Sequence, residues 1–67
     1  MTITCTNFDI KKNHQDVLDI LGADYDYSER STWNNTAVYY AKKNIASTKQ
    51  TKLNTLASDE GFTINIE

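Results

Sequence analysis

The chain has no proline, two glycines, one cysteine, one histidine and one tryptophan among its 67 residues. Each shortage excludes something. Without proline or a low-complexity tract there is no linker, so residues 1–67 read as a single domain. A lone Cys5 rules out an internal disulfide and a cysteine-based zinc site, and fits a reduced, intracellular compartment, cytoplasm or nucleus. Gly22 and Gly61 stand far apart, so no glycine-rich loop exists to cradle a phosphate. A single His14 has neither a second histidine nor a cysteine at ligand spacing, and nothing places it beside a nucleophile. It reads as a solvated surface residue. No catalytic set, metal site or cofactor is therefore expected. Apolar runs long enough to span a bilayer or form a secretory core are also missing, so no membrane partner and no classical export are expected.

Basic charge is scarce as well. Seven lysines and arginines face nine acids, giving a net charge of −2. That balance argues against general nucleic-acid binding, which needs a basic face. The charge is uneven, however: residues 1–35 carry net −3 and residues 36–67 net +1. Lys42, Lys43, Lys49 and Lys52 are uninterrupted by an acid.

What is present alternates and repeats in short stretches. Thr2–Thr6 has the period-2 pattern of a strand with one buried face. Asn13–Leu21 reads as a helix, with Asn13 as its cap, Val17, Ile20 and Leu21 on one stripe, and Gly22 just past its end. Ala23–Ser28 alternates acid and tyrosine, an exposed or edge strand with Tyr25 and Tyr27 sharing one face. Glu29–Asn35 is polar and reads as a loop holding Trp33; Val38, Tyr39 and Tyr40 then mark a strand over 37–41. A second helix runs from Thr48 to Glu60, with Ser47 or Thr48 as its cap and Leu53, Leu56 and Ala57 inward; Gly61 ends it. Phe62–Glu67 alternates again. The order is β-α-β-β-α-β, and a core this small supports about 3–5 kcal/mol of stability.

Several residues carry the pattern of a known module. Thr6-Asn7-Phe8-Asp9 follows the first strand and Leu21-Gly22-Ala23 ends the first helix. Asn35-Thr36-Ala37-Val38-Tyr39-Tyr40-Ala41 forms the third strand, and Thr51-Lys52-Leu53 precedes Ala57 and Gly61-Phe62-Thr63-Ile64. In order and spacing these resemble the BRCT domain of DNA-repair and replication proteins, here without the family's third helix. The resemblance implies an α/β fold with a four-stranded parallel sheet in order 2-1-3-4 and one helix on each face. A ferredoxin-like α+β sandwich is the alternative: the same element order, an antiparallel sheet and both helices on one face.

The resemblance also implies a non-enzymatic module that binds a protein partner through a phosphorylated peptide. Thr6 and Asn7 would meet Lys52, with Lys49 as the fallback, around the phosphate. A strand feeding a lysine-bearing helix start is itself an anion-friendly arrangement; the plain reading of those lysines is a solvated basic face. A second functional reading is DNA-end binding by residues 42–52, with Lys42 and Lys43 as contacts. A third is a small ferredoxin-like protein of viral or mobile-element origin that binds and inhibits a host complex. Trp33 with Tyr25, Tyr27, Tyr39 and Tyr40 forms a partner-binding patch if these are exposed together. Otherwise Tyr39 or Tyr40 fills the core and Trp33 clamps a loop. Asp16 with Asp19, and Asp24 with Asp26, read as solvated acids.

Overall fold

The turn between the second and third strands decides the architecture. In the computed structural model, which describes residues 1–67, strand β2 spans Tyr25–Ser31 and strand β3 spans Thr36–Ala41. Only Thr32 to Asn35 is left to connect them. Parallel neighbours need a crossover of a dozen or more residues, so this connection forces an antiparallel hairpin. The remaining elements are β1 (Thr2–Thr6), α1 (Ile10–Leu21), a 3₁₀ turn (Gly22–Asp24), α2 (Ser47–Glu60) and β4 (Thr63–Ile66). The sheet order is β2-β3-β1-β4, and all three neighbouring pairs are antiparallel.

The parallel sheet with strand order 2-1-3-4 and a helix on each face is thereby overturned. The polar stretch Glu29–Ser31, which reads as loop, is the second half of β2. The half-polar alternation of β1, odd for a strand covered on both faces, is the ordinary pattern of an antiparallel strand with one solvated face. Ile3 and Cys5 point into the core; Thr2 and Thr4 point away from it. Ala37, Tyr39 and Ala41 of β3 lie on the same face as Ile3 and Cys5 by register. They form one buried cluster with Val17 and Leu21 of α1 and with Leu53 and Ala57 of α2. Both helices thus cover one side of the sheet, as in the α+β sandwich alternative. Of these, fully buried Ile3, Val17, Leu21 and Leu53 each contribute about 1.5–3 kcal/mol.

Local boundaries shift for identifiable reasons. Helix α1 starts three residues before Asn13, because the Asp9 side chain accepts from Lys12 N–H at 3.1 Å and serves as the cap. Asn13 itself is buried against α2; with its amide turned so that the nitrogen faces the acids, it donates to Glu60 Oε1 (3.0 Å) and Asp16 Oδ2 (3.2 Å). Helix α2 has Ala46 at its N-cap position, without the side-chain bond expected of Ser47 or Thr48. Its end is as expected: Gly61 adopts φ +78° and its N–H donates to Ala57 O at 2.9 Å, the left-handed close that glycine tolerates best. The tyrosines of β2 do not share a face. A bulge between Tyr25 and Tyr27 leaves Asp26 without a partner on β3, so Tyr25 opposes Ala41 and Tyr27 opposes Tyr40. Tyr27 is 54% exposed and its ring stacks on Tyr40, centroids 4.4 Å apart.

Candidate protein-binding site

At one end of the sheet two loops are tied together. The β2–β3 turn closes through Asn35, which takes φ +54°, and Thr36 Oγ1 donates to Asn34 O at 3.1 Å. Asn35 O in turn accepts from Phe8 N–H at 2.8 Å, joining the turn to the loop between β1 and α1. In that loop Asn7 also takes a positive φ, +53°, and its amide reaches Gly61 O at 3.4 Å. Phe8 anchors the arrangement from below. Its ring meets Phe62 edge-on at 4.7 Å and Tyr39 edge-on at 6.2 Å. Between the two loops lies an open hollow of about 450 Å³, walled by residues 7–11 and by Thr32 and Asn35. Beside it Trp33 stands on the turn, 93% exposed. A large aromatic ring left in water on a fastened loop is uncovered apolar surface of the residue type most often found at the centre of interfaces.

The other sequence-derived site residues do not assemble around it. Thr6 and Asn7 lie where β1 ends, near Gly61 and the C-terminal end of α2. Lys49 sits in the first turn of that helix and Lys52 one turn on. Lys52 and Gly61 are nine positions apart, a span of about 14 Å along a helix. Neither lysine lines the hollow at Asn7, and Lys52 borders a separate groove that holds neither Thr6 nor Asn7. Lys49 is already engaged: its ammonium donates to Leu21 O (2.9 Å) and pairs with Asp24 Oδ2 (2.8 Å). It therefore neutralises the carbonyl end of α1. Lys52 is exposed beside Ile20 and Leu56 in a shallow groove between the helices. Lys42 and Lys43 are exposed just after β3, and the six residues of that strand put about 20 Å between them and the turn carrying Trp33.

His14 departs most from its reading. It is not a free surface residue: Nδ1 lies 2.7 Å from the Tyr39 hydroxyl, and the two rings stack with centroids 5.5 Å apart. Tyr39 is fully buried, and burial pushes its hydroxyl well above the usual tyrosine range. Burial, followed by the nearby Arg30 guanidinium, pushes His14 below its ordinary value. The available signal was positional, since Tyr39 falls on the inward phase of β3 and His14 lies one turn after Ile10 on the helix above it. Cys5 is buried on β1 and its thiol is pushed up to about 12, which leaves it protonated and unreactive near neutrality. No group of three histidine, cysteine or acid side chains gathers where a metal would bind, and no helix is long and apolar enough to cross a membrane.

The chain matches no family model, no curated protein and no solved structure, so the BRCT resemblance has no support beyond the residues that suggested it.

Proposed function

We propose that this chain is a non-enzymatic protein-binding module that presents the β2–β3 turn, with Trp33 as its anchor, to a protein partner. The observation that carries the reading is Trp33 at 93% exposure on a turn fastened by the Phe8–Asn35 hydrogen bond. Tryptophans of this kind dominate interfaces, and truncating one costs about 2 kcal/mol of binding or more, roughly thirty-fold in affinity. The adjoining hollow gives a partner side chain a place to enter, so turn and hollow form one epitope. DNA-end binding by residues 42–52 is less well supported. With Lys49 held by Asp24 and Leu21, only Lys42, Lys43 and Lys52 remain to meet phosphates, a thin electrostatic footprint in a chain of net charge −2.

The test compares variants rather than relying on capture alone. Tagged wild-type protein, Trp33→Ala and Lys52→Ala are used as baits in the cells that express the chain, and the recovered partner is then titrated in purified form. Binding retained by Lys52→Ala and lost by Trp33→Ala supports the reading. Equal affinity for Trp33→Ala rejects it.

A further inference from the structure

The core contains one polar contact between helix and sheet that a proton can remove. Tyr39 is enclosed between β1, α1 and the Phe8 ring, and its hydroxyl has one hydrogen-bond partner, Nδ1 of His14. A hydroxyl proton left without an acceptor in such a place is costly. The arrangement that satisfies it puts the imidazole proton on Nε2 and leaves Nδ1 free to accept. The bond spans 25 positions of sequence, so it fastens the first half of α1 to the centre of the sheet.

We propose that His14 and Tyr39 form an acid-released latch between α1 and β3, in which neutral His14 accepts the buried hydroxyl and protonation of Nδ1 takes that acceptor away. Once Nδ1 carries a proton, the tyrosine oxygen can only accept, and its own proton has no partner in the core. No acidic side chain pairs with the half-buried His14 to compensate the cation. From β2 the charged side chain acting on His14 is Arg30, of like sign. From β3 the titratable group is Tyr39, which is neutral. From α2 the acid that reaches α1, Glu60, is paired with Lys12. The chain's ion pairs, Lys12–Glu60 and Lys49–Asp24, do not include His14. Stacking on the tyrosine ring attracts an imidazolium, but it is opposed by burial and by Arg30.

The sign follows from linkage. A histidine whose folded value is depressed adds stability that is fully present above its unfolded value, ~6.5. That stability is lost as pH falls through the folded value. The latch thus holds near neutrality and loosens in the acid range below ~6.5, the range in which histidine serves as a physiological switch. This inference does not depend on Trp33 or on any partner.

The experiment uses the full chain. The ring carbons of His14 are followed by NMR as pH is lowered, and urea unfolding of wild type and His14→Gln is measured between pH ~7 and ~5. The expected result is a His14 midpoint below ~6.5, with a wild-type urea midpoint that falls over this window and a flatter profile for His14→Gln. Comparing the two proteins cancels the contributions of the carboxylates and the amino terminus. If His14→Gln fails to fold, Arg30→Gln replaces it: Arg30 is exposed, and removing its charge moves the His14 midpoint upward. The proposal is overturned by a His14 midpoint at or above ~6.5, by a His14→Gln profile as steep as wild type, or by an Arg30→Gln midpoint that does not rise.

Discussion

The two ends of the sheet close in opposite ways. At the end carrying Lys49, a long cationic side chain is drawn inward and spent on Leu21 O and Asp24. At the end carrying Trp33, closure is made by backbone and amide groups, Phe8 N–H to Asn35 O and Asn7 to Gly61 O. The large side chain there is left in water. Lys49, in the sequence either a fallback phosphate ligand or a solvated charge, is held within the fold, whereas Trp33, in the sequence either a partner contact or a loop clamp, stands clear of the core. The lesson concerns which groups remain free after folding. Charge draws attention in a sequence, but a charge close to a helix terminus tends to be consumed by it.

Substitutions can break that contrast, and the largest effect falls beneath the Trp33 end. Phe8→Ala removes the ring under the hollow and is expected to cost about 3–5 kcal/mol in urea unfolding, as aromatic truncations in a core do. Because Phe8 also supports the loop bonded to Asn35, partner affinity falls with stability. Next is Trp33→Ala, which separates the two quantities. Binding weakens by about 2 kcal/mol or more, while unfolding free energy stays within about 0.5 kcal/mol of wild type. A change in stability comparable to the change in binding would show that the ring clamps the loop after all. At the opposite end Lys49→Ala is expected to cost about 1 kcal/mol of stability. That figure is discounted because both partners are roughly a third exposed. Its partner affinity should match wild type; a binding defect without a stability defect would restore Lys49 to a contact role. Lys52→Ala, exposed in the groove between the helices, is the smallest, within about 0.5 kcal/mol in both measurements.

Much of this fold is written locally. Strands β1 and β4 show as alternation because one face of each turns toward the core, β3 shows as a run of β-branched and aromatic residues, and Gly61 stops α2 where its left-handed φ is required. The direction of the strands is not local. It hinges on whether Glu29-Arg30-Ser31 is loop or strand, and these residues pair with β3 at the sheet edge without carrying apolar side chains. The bulge at Asp26 is equally hidden, since it exists only relative to β3. Asn13 could have capped a helix, but Asp9 reached a donor first, which freed Asn13 for the helix–helix contact. The site follows the same division. That Trp33 belongs to a loop was readable, whereas its exposure and the hollow beside it depend on a bond between Phe8 and Asn35, residues 27 positions apart. His14 was misread because its partner lies on another element.

The position of Trp33 has an optical consequence. It is the chain's one tryptophan and makes no part of the core, so its emission is already that of an indole in water. Unfolding changes its surroundings very little. Denaturation followed at tryptophan wavelengths should show almost no transition, while tyrosine emission and far-ultraviolet dichroism report the loss of Tyr39 packing and of the helices. Docking against the turn would, by contrast, move the indole into a drier medium and shift its emission to the blue. Folding and recognition can thus be read in one cuvette on separate chromophores, without a label.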